Sequence, residues 1–179
     1  MVALFYLLCA FALLGSVDIG YFHLYRFRLY RVSSSRGEQI THLLRTLLFL
    51  AALIWVMDVE AHGLFSVILP AILAVDFVNS MLDVLLEPAS RRPLGGLPPL
   101  EYAVHMLTMF VSGAIMAIAV VECLASLDGP TSLRWHPLDV PPASRAMGWQ
   151  IAVVTTGLCV YEGLGFLASV AKGRAPRSP

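Results

Sequence analysis

Charged residues are scarce in this chain. Asp, Glu, Lys and Arg make up 13% of the 179 residues, whereas apolar residues make up 58%. A soluble domain of this length needs more charge on its surface, so the composition excludes that class and predicts a protein with several membrane spans. The formal net charge is zero, and this balance gives no reason to expect a nucleic acid as a partner.

Cysteine is also sparse, and the common enzyme motifs are missing. Cys9, Cys123 and Cys159 lie in apolar segments without C-x-x-C spacing, so neither a zinc site nor a redox pair is indicated, and pairing of Cys9 with Cys123 stays open. The sequence contains no P-loop, dinucleotide fingerprint or Ser–His–Asp arrangement. The apolar run at residues 2–17 lacks a basic leader and is followed by arginines, which predicts a retained first span.

Five segments reach the length needed to cross a hydrocarbon core, which is about 20 residues for ~30 Å. They are residues 2–25, 41–61, 64–86, 101–124 and 147–171. Turn and breaker residues separate them, notably in the connection from Pro88 to Pro99 and in a proline-rich loop from Asp128 to Ser144. We therefore predict an all-α fold, a bundle of five transmembrane helices that forms one domain over residues 1–173, followed by a short cytoplasmic tail at residues 174–179.

The distribution of basic residues predicts the orientation of the bundle. Arginines follow the first span and join the third span to the fourth, and further basic residues follow the fifth, whereas the opposite loops contain Arg134 and Arg145 alone. By the positive-inside rule, the N-terminus is outside and the C-terminus is cytoplasmic.

The third span carries an acidic stripe. Its polar members are spaced i, i+3, i+7 and i+11, within about 100° of arc on a helix. They are Asp76, Asn79, Asp83 and Glu87. Carboxylates at bilayer depth cost roughly 2.5–3.5 kcal/mol each on insertion scales, so groups on neighbouring helices must compensate them.

Two neighbouring spans supply candidate partners as Glu-x3-His pairs. Glu38 and His42 begin the second span, and Glu101 and His105 begin the fourth. The spacing stacks a carboxylate and an imidazole one turn apart, which suits two metal ligands or an acid–histidine pair. Inward Glu and His in a helical bundle are typical of di-iron and di-manganese sites, and mixed nitrogen and oxygen ligation suits those metals. Haem b held by His42 and His105 is a lower-ranked alternative.

The candidate site residues lie toward the inner ends of their spans. The predicted metal ligands are His23, His42, Asp76, Asp83, Glu87, Glu101 and His105. Asp18, Glu38 and Glu162 are predicted to act in catalysis, supporting the ligands or delivering protons. Asp18 and His23 are difficult to combine, because side chains five residues apart diverge by about 140° on a straight α-helix. Either Gly20 permits a bend, or Asp18 supports a ligand without being one.

A simpler interpretation of the two Glu-x3-His pairs stays open. Glu38 and Glu101 lie in the first turns of their helices, where the helix dipole favours a carboxylate. Nearby arginines such as Arg45, Arg91 and Arg92 are close enough in sequence to form interfacial ion pairs with the acids. This alternative accounts poorly for Asp18, Asp76 and Glu162, which are predicted to lie near the middle of the membrane.

The ordered motifs resemble a known group. Asp18-x4-His23, Glu38-x3-His42, Asp83-x3-Glu87, Arg92-Pro93-Leu94-Gly95-Gly96 and Glu101-x3-His105 resemble motifs of uncharacterised bacterial polytopic membrane proteins, over about residues 15–110 of this sequence. The resemblance implies a bacterial cytoplasmic (inner) membrane but no activity, substrate or cofactor. A looser similarity links the chain to membrane di-iron hydroxylases and desaturases, although it lacks their His-x2-3-His clusters.

Three classes of function follow from these patterns. The leading hypothesis is an oxygen-dependent, di-metal oxidoreductase that acts on a lipid or other hydrophobic substrate at the cytoplasmic half of the bilayer. The second is a small proton- or ion-transport protein in which Asp18, Asp76 and Glu162 form a relay. The third is a non-catalytic accessory subunit that docks on a larger membrane complex. A partner subunit or a homo-oligomer is compatible with each of them.

Overall fold

The computed structural model describes residues 1–171, with all side chains in that range except those at positions 31, 33, 169 and 171. The predicted tail at 174–179 lies outside the described residues. Five helices are long and apolar enough to cross a membrane, so the all-α prediction with five spans is confirmed. The helices are α1 (Val2–Ser16), α2 (Arg36–Asp58), α3 (Ile68–Arg91), α4 (Pro99–Ser126) and α5 (Pro142–Ala171).

A π-helix, Val17–Arg26, continues α1 without a break; we call it the π segment. Short 3-10 turns complete the connections, at Leu29–Arg31, Ser33–Ser35, Gly63–Val67 and Arg92–Leu94. Successive helices run in opposite directions. The π segment and α3 end at one end of the bundle, and α2 and α4 begin there. We call this end the arginine end.

A two-stranded ribbon closes the opposite end, which we call the ribbon end. β1 (Val59–His62) pairs antiparallel with β2 (Ser132–Trp135), so that Val59 lies opposite Trp135. The prediction of a loop over Asp128–Ser144 did not include β2. Strands of four residues carry too little alternation to be recognised from the sequence.

The apolar core fills the half of the bundle nearer the ribbon end. Its largest fully buried apolar side chains include Phe5, Leu53 and Met57. At the same end, the buried carboxylate of Asp58 is paired with Arg145, which also donates a hydrogen bond to the Met57 carbonyl at 3.2 Å. The polar side chains are concentrated in the other half, toward the arginine end.

Gly63 is required where the ribbon meets the bundle. Its φ is +59°, and a Cβ there would lie 2.7 Å from Thr131 Cα and 2.8 Å from the Gly129 carbonyl oxygen. We expect Gly63→Ala to lower the free energy of unfolding by about 2–4 kcal/mol, the sum of left-handed strain and overpacking against backbone. Gly95, with φ +87° and no atom within 4 Å of an added Cβ, is the matched control.

Gly95→Ala introduces the backbone strain alone and should lower the free energy of unfolding by only about 1–2 kcal/mol. Denaturant unfolding of both variants in detergent measures the two losses. Equal losses would show that the close approach of Gly63 to Thr131 contributes nothing.

Candidate functional site

The π segment brings Asp18 and His23 to one face. In a π-helix the backbone bonds run from i to i+5, so residues five apart lie one turn apart. His23 Nε2 accordingly lies 3.5 Å from Asp18 Oδ1, and both side chains are buried. The divergence expected for a straight α-helix therefore does not arise, and the solution is a change of helix type over ten residues.

α2 and α4 each direct their Glu-x3-His pair toward the same place. Glu38, His42 and Glu101 are at most 2% exposed, and His105 is partly buried. α4 begins at Pro99, where the ring suits the first helical position, so Glu101 and His105 occupy the first two turns. The two pairs thus face each other at the arginine end.

Six side chains from these three elements converge in two overlapping groups. Each group has its possible ligand atoms within 4.8 Å of one another. The first group is Asp18, His23, Glu101 and His105, and the second is His23, Glu38 and His42. Nε2 of His23 lies at the junction, 3.6 Å from both Glu38 Oε1 and Glu101 Oε1.

α3 adds a buried arginine that links the two glutamates. The helix continues past Pro88 to Arg91, although the sequence pattern predicted an end at residue 86. Arg91 is 1% exposed. Its Nη1 donates to Glu38 Oε2 at 2.8 Å, its Nε donates to Glu101 Oε1 at 3.2 Å, and its Nη2 lies 3.1 Å from His23 Nε2. A guanidinium only donates, so the single lone pair of His23 Nε2 accepts from Arg91 here, and a metal bound at Nε2 would take the place of that hydrogen bond.

Two histidines also contact carboxylates of the acidic stripe. His105 lies between two acids, with Nε2 3.0 Å from Asp18 Oδ1 and Nδ1 3.0 Å from Glu87 Oε1. His42 Nε2 lies 3.3 Å from Asp83 Oδ2. Carboxylates placed on histidines in this way fix the ring orientation and tautomer of metal ligands. Asp83 and Glu87 therefore contact the histidines of the cluster but belong to neither group of convergent donors.

Asp76 lies apart from the cluster. Its Oδ1 is 3.8 Å from Arg45 Nε, and the same guanidinium is 3.7 Å from Asp83 Oδ2. Thr41 donates to Asp83 Oδ1 at 2.6 Å, and Asn79 donates to the Thr41 carbonyl at 2.8 Å. This layer joins α2 to α3 one to two turns farther from the arginine end than Glu38 and Glu101.

α5 contributes Glu162. Its side chain is 2% exposed, and its carboxylate is close enough to His42, His23, Glu38 and Asp18 to interact with them electrostatically. Glu162 is thus the α5 member of the buried polar region, and all five helices take part in it.

Several buried atoms have no hydrogen-bond partner among the described residues. They include Nδ1 of His42 and Oε2 of Glu101. Buried polar groups are nearly always satisfied, so each unsatisfied one points to an ion, a water or another ligand. Two of these atoms, His42 Nδ1 and Glu101 Oε2, belong to the cluster and are open to a ligand there, whereas Arg45 Nε and Asp76 Oδ1 lie in the neighbouring layer and Asp58 Oδ2 lies at the ribbon end.

The polar residues at the ribbon end form a different environment. His62 and Glu60 lie on β1, and the His62 side chain is 41% exposed. A hydrogen bond with the His62 imidazole, at 3.1 Å, holds the pKa of the Glu60 carboxyl below its ordinary value. These exposed groups do not join the buried cluster.

Fold and site together define an integral membrane helical bundle with a buried histidine–carboxylate cluster in one half. No family model, curated protein or solved structure matches the chain. The function is therefore argued from the cluster itself.

Two members of the cluster could not be identified as such from the sequence. The sequence pattern predicts an ion pair of Arg91 with nearby acids at the interface; the structure contains the pair with Glu38 but buries it. Ser90, which bonds both Arg91 and Glu38, carries no sequence signal of its own. The signal that identifies them is the spacing Asp83, Glu87, Ser90, Arg91, which keeps one helical face if α3 does not stop at Pro88.

Proposed function

We propose that this protein is a metalloprotein of the bacterial inner membrane, with an iron or manganese centre that oxidises a lipid or other hydrophobic substrate at the cytoplasmic half of the bilayer. The observation that carries the proposal is the convergence of three imidazoles and three carboxylates on one buried place, with donor atoms within 4.8 Å inside each group.

The first metal position would be held by Asp18, His23, Glu101 and His105. The second would be held by Glu38 and His42, because Nε2 of His23 can ligate one ion only. Oε2 of Glu101 has no hydrogen-bond partner among the described residues and would be free to ligate an ion. Iron and manganese sites in helical bundles combine the same two ligand types, typically four carboxylates with two histidines; this set would have one carboxylate fewer and one histidine more.

The charge of the buried region also supports bound cations. Its carboxylates outnumber its basic side chains even if every histidine there is protonated. The acids are Asp18, Glu38, Asp76, Asp83, Glu87, Glu101 and Glu162, and the basic residues are Arg45, Arg91, His23, His42 and His105. An excess of buried negative charge is costly in a membrane. With the histidines neutral, as metal ligands are, seven carboxylates face two arginines, and two divalent cations would offset most of the difference.

The metal would supply electron transfer and Lewis-acid chemistry, and the chain's own groups would manage protons. With Nε2 of His105 turned to an ion, its Nδ1–H donates to Glu87 and holds the ring in place. Glu87, on the side of the arginine end, is then the group that exchanges protons with the cluster. Glu162 is placed to do the same from α5, beside His23 and His42.

Proton transport is the alternative that one observation favours. Glu87, His105, Asp18 and His23 form a chain with steps of 3.0 to 3.5 Å. Transport across the bundle also requires polar groups in the other half, where the interior is filled by Leu4, Phe5, Leu8, Leu53, Val56 and Met57. The chain of groups therefore suits proton delivery to the cluster better than passage through the membrane.

Oxygen uptake tests the proposed reaction. Protein in nanodiscs of bacterial lipid, loaded anaerobically with Fe(II) or Mn(II), is exposed to air with a reductant, and lipids are analysed by mass spectrometry. We expect oxygen consumption and lipid masses shifted by added oxygen or lost hydrogen, at least about ten-fold above the metal-free protein. Equal rates with and without metal would refute the reaction, and dissipation of a proton gradient in liposomes would favour transport.

A further inference from the structure

An open groove runs along the flank of the bundle between α1, α2 and α5. The space within and in front of it, including its open mouth, is about 430 Å³, and its walls are mainly apolar. Phe11 and Phe49, whose rings stack with centroids 5.9 Å apart, form one wall, and Leu158 lies on α5. Because this flank belongs to membrane-spanning helices, the groove opens toward the hydrocarbon chains of the bilayer.

The groove leads toward the cluster along two elements. Ser16 and Ile19 line it, and they bracket Asp18 in the chain. On α5, Thr155 and Leu158 line it and Glu162 follows, at spacings i, i+3 and i+7 that keep one helical face. A molecule lying in the groove with one end toward the arginine end is therefore directed at Glu162 and the cluster.

The polar groups of the groove define the chemistry of that end. Arg45 lines the groove and donates no hydrogen bond among the described contacts; its carboxylate neighbours are 3.7 and 3.8 Å away. Ser16 and Thr46 also line it, but their hydroxyl protons are donated to the carbonyls of Ala12 and His42, at 2.8 and 2.9 Å. The groove thus offers a guanidinium as donor and two hydroxyl oxygens as acceptors.

The charge of Arg45 selects among oxygen-bearing ligands. Asp76 and Asp83 already balance the guanidinium, so an additional carboxylate or phosphate would leave net negative charge buried in the membrane. A neutral hydroxyl or carbonyl oxygen satisfies the donor without that cost, and a hydroxyl also donates to Ser16 or Thr46.

We propose that the groove binds a long-chain lipid with an uncharged terminal oxygen, such as a hydroxyl, placed at Arg45 and with its chain between α1, α2 and α5. Calling this lipid the substrate rests on the proposed metal-dependent reaction. Binding itself does not, because the groove residues are separate from the proposed ligands.

Photolabelling tests the binding. Metal-free protein in nanodiscs is irradiated with a hexadecanol analogue that carries a diazirine in the chain, and labelled peptides are mapped by mass spectrometry. Label is expected on groove-lining residues of α1 and α5. Unlabelled hexadecanol should compete at about ten-fold lower concentration than hexadecane or palmitate, because only the neutral hydroxyl satisfies Arg45 without adding charge.

Gly15 lines the groove, and nothing lies within 4 Å of a Cβ added there. Gly15→Leu therefore fills the groove without a clash at the backbone. Gly113→Leu, on the exposed face of α4 and equally free of clashes, is the matched control. We expect at least about a ten-fold loss of label in the first variant and none in the second. If Gly15→Leu does not fold, Leu158→Phe is used in its place.

Label that persists in the filled variant, or that hexadecane and palmitate suppress as well as hexadecanol does, overturns this proposal. Metal content is measured on the same preparations. Wild-type protein that binds the probe but no metal would refute the proposed reaction and leave the lipid site standing.

Discussion

Purified protein loaded with Fe(II) or Mn(II) under anaerobic conditions is expected to retain about two ions per chain after desalting. His23→Gln is expected to remove the ion at the first position and so to lower the retained metal to about one ion per chain. The reason is that Nε2 of His23 would ligate that ion, whereas Glu38 and His42 would hold the second. Glutamine keeps most of the volume and still offers Arg91 an acceptor, so the loss reports ligation and not collapse of the packing.

His62→Gln is the matched control for this measurement. His62 is the same residue type beside a carboxylate, but it lies on the exposed ribbon. Plasma mass spectrometry of both variants and of the wild type, with protein concentration from amino-acid analysis, gives the stoichiometry. Wild-type protein without metal, or a His23→Gln variant that retains the wild-type amount, would contradict the metal centre.

The five spans could be predicted because their signal is carried by composition and length alone. A run of about 20 apolar residues has few alternatives in a membrane, where every backbone group must be bonded within the segment. The facing Glu-x3-His pairs were predictable for a similar reason. Glu38 and His42, like Glu101 and His105, are four residues apart, and an α-helix places such residues on one face whatever surrounds them.

The relation between Asp18 and His23 could not be predicted, because it depends on a change of helix type. Propensity patterns do not distinguish a π-helix from an α-helix, and a π-helix of ten residues is rare. The conversion is a tertiary effect: it brings Asp18 to His105, at 3.0 Å, while His23 reaches Arg91. Two polar residues five apart in a membrane span can therefore belong to one site.

The continuation of α3 to Arg91 could not be predicted for a different reason. Pro88 is a helix breaker in most contexts, so the sequence predicted an end before it. Here α3 continues for three further residues to Arg91, and this last turn carries the side chains of Ser90 and Arg91 into the cluster. Contacts with Glu38 and Glu101 outweigh the local cost of the proline, and such contacts are invisible until the helices are packed.

Arg91→Met is expected to lower the free energy of unfolding by about 3–5 kcal/mol in metal-free protein. Methionine fills much of the same space but leaves Glu38 and Glu101 buried without their shared cation, which is the costly way to break a buried ion pair. Arg92→Met is the matched control, because Arg92 is the adjacent residue, has the same charge and is exposed. The free energy of unfolding of Arg92→Met should stay within about 0.5 kcal/mol of the wild-type value. Denaturant unfolding in detergent measures both.

The same variants also separate a structural role of the cluster from a metal-binding role. If cations bind between the carboxylates, metal should offset part of the missing guanidinium charge, so the loss in Arg91→Met should be smaller in metal-loaded protein than in metal-free protein. Glu101→Gln combined with Arg91→Met should recover stability without metal, because one unpaired charge is removed. An Arg91→Met variant as stable as Arg92→Met would show that the buried pairing of Arg91 with Glu38 and Glu101 does not stabilise the bundle. A loss that metal leaves unchanged would show that no cation binds between the two glutamates.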